Sequence, residues 1–330
     1  MVCAPREPLS AGHALSPVQS YGGQAVIEGV MMKGRRSVTL AVRTSSGDII
    51  VETDKIRPLR FDERFLRVPV LRGALALIDS LVVGIAAIFR SAELASPKGE
   101  RPDSDPGRSE GNVWMFALVG LAVALAVALF VVIPVALTSL LLDRAGLSGK
   151  ILTNLTETIV RLLILGAYVW FVSRAREIQR VLQYHGAEHK VVWAWETFTG
   201  DVRSSLKEPE ETARILREKA RDMSRIHPRC GTSFLFLAVI AGALVFAVVS
   251  PDELFVRIAV RLVLLPVVAG VAYEILRASP GEKGPVFAIV RAPGLALQKM
   301  TTREPDDDQI EVAALALAHL LLREEPYNRR

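Results

Sequence analysis

The chain has 330 residues, 51% of them hydrophobic and 23% charged, with a mean hydropathy of +0.32. That average is too apolar for a wholly solvated fold, so apolar and charged blocks must alternate along the chain. A net charge of +5 argues against a nucleic-acid-binding class, and only two cysteines, Cys3 and Cys230, exclude a disulfide framework.

Residues 1–20 form a polar leader, expected to be disordered, with no apolar core of a signal peptide. The N-terminus is therefore expected to lie in the cytoplasm. Residues 21–66 read as a small soluble module containing β-structure. SVTLAVRT and IIVETDKI are strands around an SSGD turn, and GGQAVIEGVMM supplies another strand or a glycine-bounded loop. Residues 67–95 include PVLRGALALIDSLVVGIAAIF, an apolar stretch interrupted by Arg72 and Asp79, expected as an interfacial or re-entrant helix rather than a full span. Residues 96–113 are a Pro/Gly-rich linker.

Four spans are expected within 114–276: Trp114–Leu142, Ile151–Val172, Phe234–Val249 and Leu254–Leu276. Glu157, Arg161, Arg257, Arg261 and Glu274 fall inside them and should lie near an interface or inside the bundle. Basic residues concentrate in the 173–233 loop and in the tail, while 143–150 and 250–256 hold few. This distribution puts that loop and both termini on the cytoplasmic side. Within the loop, EPEETARILREKARDM is a solvated helix with no assigned chemistry. The tail, 277–330, carries an amphipathic helix over 309–324, preceded by Asp306, Asp307 and Asp308, which suit its N-terminus. It is expected on the cytoplasmic face, with His319 a core or interfacial residue. No repeat is evident, so an inverted-repeat transporter has no support.

The chemistry centres on YHGAEHK at 184–190. It spells H-x-x-E-H, the ligand spacing of inverted zinc peptidases. Four residues apart on a helix, His185 and His189 face the same way and can clasp one cation, with Glu188 beside them as general base. Gly186 weakens a helix here by ~1 kcal/mol relative to alanine. A second cluster, IHPRCGTSF, brings His227 and Cys230 to the cytoplasmic start of the third span, and Glu274 ends the fourth. Three separated stretches thus return to one membrane face with donors suited to Zn²⁺. A Cys–His nucleophilic pair is the rival chemistry. The plainer alternative makes Cys230 a small buried hydrophobe and His227 a helix cap. Glu28, a lone acid in YGGQAVIEGVMMKG, pairs locally or reaches the cluster.

YGGQAVIEGVMMKG, YHGAEHK, HPRCGTSF and PGLALQKMTTREPDDDQIEVA, in that order, resemble the YqhQ-like family of bacterial integral membrane proteins, whose function is unknown. The likeness runs from Tyr21 to about Leu320. It implies a polytopic inner-membrane protein and a predicted metal-dependent enzyme, and it matches Glu28, His185, Glu188, His189, His227 and Cys230 to the family's polar positions. It supplies no substrate.

The combined expectation is a mainly α, polytopic helical membrane protein with a small N-terminal β-containing cytoplasmic module. Its metal ligands would be His185, His189 and one or two of His227, Cys230 and Glu274. Zinc is the expected cofactor and Glu188 the catalytic base. The reaction would be hydrolysis of a membrane-associated peptide or lipid, and the bilayer itself the main partner. A scaffold or regulatory protein with a structural His/Cys site is one alternative, and a small-solute or metal transporter another.

Overall fold

The computed structural model describes residues 21–59, 61–97, 109–206, 208–228, 230–278 and 285–328. The leader at 1–20 and most of the expected linker lie outside these residues. The chain is mainly helical, with one four-stranded antiparallel sheet near its N-terminus.

The sheet is a meander of β1 (Gly22–Val26), β2 (Gly29–Lys33), β3 (Val38–Arg43) and β4 (Ile49–Thr53), in that spatial order. Met31 lies opposite both Gln24 and Leu40, and Ala41 opposite Val51. The two strands read from SVTLAVRT and IIVETDKI are β3 and β4, joined at Gly47, whose φ of +92° needs a residue without Cβ. GGQAVIEGVMM supplies two strands, β1 and β2. The tight turn between them puts Glu28 at φ +52°, a left-handed conformation that its side chain conceals from a sequence reading. Contacts hold it there: Glu28 O accepts from Arg43 N at 2.8 Å and its carboxylate pairs with Arg180.

Period-two alternation gives the sheet two apolar faces. Val26, Met31, Leu40 and Val42 meet Val83, Ala87 and Leu94 of α2 (Leu71–Ala95). Val30, Met32 and Ala41 pack on the other side against α6 (Arg176–Thr197), α8 (Pro209–Ala220) and α13 (Asp307–Asn328). Between β4 and α2 lies the short α1 (Glu63–Arg67), and α7 (Thr199–Ser204) joins α6 to α8. The tail helix α13 is more central than a surface amphipathic helix. Its run from Ile310 to Leu321 is buried on several sides, because alanines let the sheet, α6 and α8 approach closely. A capping box starts it: Asp306 Oδ1 accepts from Gln309 N at 2.8 Å and Gln309 Oε1 from Asp306 N at 3.0 Å. The charged α8 also buries Thr212, Ala213, Leu216 and Ala220.

Among the described residues, three helices are long and apolar enough to cross a bilayer: α2, which was expected as an interfacial or re-entrant helix, the stretch Ala117–Ala145 and α5 (Lys150–Val172). A bent pair, α10 (Leu254–Val263) and α11 (Leu265–Ala278), makes a fourth if taken as one span. These features mark a multi-pass membrane protein. The stretch Ala117–Ala145 comprises the end of α3 (Ser109–Val127), a π-turn over Ala128–Val132, and α4 (Ile133–Ala145). The π-turn immediately precedes Pro134, whose ring cannot continue regular i→i−4 bonding. Pro266 likewise sits just after the 51° bend between α10 and α11. The apolar stretch expected over 234–249 is the 17-residue α9 (Thr232–Val248), packed on α5, α11 and α12 (Pro285–Thr301).

Candidate metal centre

The stretch of α6 from Tyr184 to Trp195 is largely buried, because the sheet, α8 and α13 all pack on the helix. Its i,i+4 spacing puts His185 and His189 on one face, with ring centroids 4.4 Å apart. Gly186 lies where the chain at 303–305 crosses α6. A Cβ there would run into the Arg303 carbonyl oxygen and come within 3.3 Å of Pro305 Cδ. The glycine that weakens the helix therefore permits the crossing, which Arg303 N seals by donating to Leu182 O at 2.9 Å.

That crossing orients the first imidazole. His185 Nδ1 lies 2.7 Å from Thr301 O, and His189 Nδ1 lies 2.7 Å from Arg225 O. A backbone carbonyl can only accept, so each Nδ1 carries a proton, which leaves Nε2 as the ring atom able to bind a cation. Metal-binding imidazoles are held this way. His185 Nε2 faces Cys230 Sγ at 3.2 Å, while His189 Nε2 is buried without a hydrogen-bond partner. The donor atoms of His185, His189 and Cys230 all lie within 4.8 Å of one another, a group that can hold a metal ion. The orphaned Nε2 fits such an ion, since an unsatisfied buried nitrogen is otherwise costly.

Cys230 enters from the turn before α9, where its sulfur also accepts from Thr232 N at 3.4 Å. Gln298 on α12 fixes this turn. Its side chain is fully buried, accepts from His227 N at 2.9 Å and donates to His227 O at 2.9 Å. Arg225 NH1 adds bonds to Thr302 O and Oγ1 at 2.6 and 2.7 Å. Gln298 and Thr301 were missed as site-building residues by the sequence reading. The only signal was their place within PGLALQKMTT, a motif with no metal-ligand chemistry of its own.

The remaining candidates occupy different places. Glu188 is buried, its Oε2 3.5 Å from His189 Nε2, beside the group of three. His227 sits next to the group, its ring centroid 5.8 Å from that of His189, but its Nε2 faces Glu196 Oε2 at 3.4 Å. Burial lowers its pKa, opposed by the charge of Glu188. Glu274 is drawn away: its carboxylate takes a forked bond from Arg72 at 2.7 and 2.5 Å. Glu28 pairs with Arg180, and its Oε2 lies 3.4 Å from Tyr184 Oη. His319 is partly buried in α13, and burial lowers its pKa.

The three donors and Glu188 line a cleft of about 780 Å³, whose other walls include Tyr21 to Ala25, Lys33, Ser80 and Tyr273. A family described as "Protein of unknown function (DUF1385)" matches residues 68–323. The chain belongs to that family. It is also similar to the uncharacterized protein YqhQ of Bacillus subtilis (strain 168), with 32% identity over 319 residues, 94% of each chain. The likeness drawn from the four motifs is thus shown over nearly the whole sequence. No solved structure matches.

Proposed function

We propose that this protein is a zinc-dependent membrane hydrolase of the bacterial inner membrane, with both termini and the His/Cys cleft on the cytoplasmic side. His185, His189 and Cys230 would hold the ion. The observation that carries this reading is the pair of Nδ1-to-carbonyl contacts, which leave each Nε2 for a cation in a group whose donor atoms lie within 4.8 Å of one another. Two imidazoles and a thiol are donors of zinc's borderline-soft kind, and three protein ligands match a catalytic site with a position left for water or substrate. When bound, zinc supplies Lewis acidity to that open position.

The chain's own residues supply the rest. Glu188 lies outside the donor group and is held beside it, where it would take a proton from the attacking water and return it to the leaving group. Burial of Glu188, His189 and His227 limits bulk water at that point. The cleft's wall favours a peptide over a lipid ester. β1 is an edge strand, paired only with β2 among the described residues, and Gly22 and Gly23 on it are exposed. An extended peptide can add to such an edge through main-chain hydrogen bonds. Gly23 matters here, since a Cβ at that position would meet Glu188 Cγ at 2.7 Å. Elemental analysis of the purified, zinc-reconstituted protein tests the reading. The wild type should carry one zinc per chain and His189→Ala close to none. Equally low metal in both would end the proposal. Glu188→Gln should keep the zinc and lose cleavage of a fluorogenic peptide panel. Cleavage that survives this change would leave a structural zinc site in a scaffold protein.

A further inference from the structure

A polar pocket of about 530 Å³ lies between the β2–β3 turn, the chain after β4 and the end of α13. It does not depend on the zinc reading above. Four arginines line it: Arg35 and Arg36 from the turn, Arg57 from the chain after β4, and Arg323 from α13. Asp54 is the one acid in its wall, and it already accepts from Arg323 Nε at 2.8 Å. The turn is rigidly held. Gly34 N donates to Ser37 O at 2.9 Å, and the buried carboxylate of Glu324 accepts from Arg36 N at 2.8 Å and Ser37 N at 3.1 Å. A Cβ at Gly34 would collide with that carboxylate. Even with Glu324 counted, four guanidiniums face two carboxylates. Arg35 and Arg57 are exposed, and among the described residues their side chains have neither an ion pair nor a hydrogen bond. Ser37 also lines the pocket. It is only 3% exposed, and among the described residues its hydroxyl has no hydrogen-bond partner.

The pocket borders apolar surface. Leu59 closes it on one side, and Leu59 N donates to Asp79 Oδ1 of α2 at 2.7 Å, which ties the wall to a membrane-length helix. The chain between them exposes Phe65, Leu66, Val68 and Leu71. Uncancelled guanidiniums next to exposed apolar side chains match the two parts of one molecule. We infer that the pocket binds the headgroup of an anionic phospholipid, its phosphate accepting from Arg35, Arg57 and the Ser37 hydroxyl, with the acyl chains along the exposed apolar run. Guanidiniums fit phosphate oxygens, and the apolar border separates a lipid from free phosphate.

Native mass spectrometry and thermal unfolding of the full chain in dodecyl maltoside, titrated with phosphatidylglycerol, phosphatidylcholine or inorganic phosphate, test the inference. Phosphatidylglycerol should be retained and should raise the unfolding midpoint, while the other two at equal concentration should do neither. Arg35→Gln combined with Arg57→Gln should weaken phosphatidylglycerol binding about tenfold or more, the loss of two basic contacts to an anionic lipid. Arg214→Gln combined with Arg221→Gln removes the same charge from exposed positions on α8 and just after it, and should leave lipid binding unchanged. All four side chains are exposed, so neither change disturbs the core. Equal retention of phosphatidylcholine contradicts the inference. So does inorganic phosphate that stabilises as well as the lipid, unchanged binding in the pocket variant, or equal loss in both variants.

Discussion

Two buried polar clusters, one beside the N-terminal sheet and one within the helical bundle, are built from different kinds of group. Around His185, His189 and Cys230 three donor atoms lie within 4.8 Å of one another, and each ring is aimed by a carbonyl. Such a group can hold a cation. Around Glu157 the groups are charged side chains, three guanidiniums held on one buried carboxylate and on backbone carbonyls, which ties helices together. The contrast shows that burial of polar residues does not by itself define a site. What marks a candidate site is a set of donor atoms that converge on one point, as His185, His189 and Cys230 do and the arginines around Glu157 do not.

Substitutions can break the comparison, and the largest effects belong to the His/Cys group. Cys230→Ser should reduce zinc affinity by at least about a hundredfold, because a hydroxyl is a poor replacement for a soft ligand. Competitive titration against a chelating dye reads this, and an unchanged affinity would remove sulfur from the ligand set. Gly186→Val should come next. Its side chain meets the backbone crossing at Arg303, so Thr301 O should leave His185, with about a tenfold loss of zinc affinity, typical of removing the hydrogen-bond partner that orients a ligand. Wild-type affinity in this variant would mean that the crossing does not orient the ring.

Smaller effects sharpen the account. Gln298→Ala strips both hydrogen bonds from the His227 backbone and should destabilise the protein by about 1–3 kcal/mol. A lowered thermal midpoint checks this, and an unaltered midpoint would deny Gln298 its role in fixing the Cys230 turn. Glu274→Gln should do least. The Arg72–Glu274 pair is partly solvated, so the change should cost under about 1 kcal/mol and leave zinc content intact. A fall in zinc in that variant would restore Glu274 to the ligand set.

The membrane class and the β-module were legible because both rest on local pattern: long apolar runs and a two-residue alternation. The His185/His189 pair was legible for the same reason, since four residues is one helical turn. Recruitment of Cys230 was inferred from topology, as distant segments were expected to return to one face. What stayed hidden depends on tertiary contacts. Glu28 in a left-handed turn carries no local signal, because Arg43 and Arg180 hold it there. Glu274 looked like a ligand from its span-end position, but Arg72 lies within reach from a helix two hundred residues earlier. The burial of α13 could not be read either, because an alanine-rich face is apolar in sequence whether it meets one neighbour or three.

X-ray absorption at the zinc edge of the reconstituted, full-length protein probes the donor set at the level of bonds. If His185, His189 and Cys230 share one ion, the spectrum should contain a single sulfur scatterer at ~2.3 Å and two imidazole nitrogens at ~2.0–2.1 Å, with the sulfur shell absent from Cys230→Ser. A first shell of light atoms only, indistinguishable between wild type and Cys230→Ser, would contradict it.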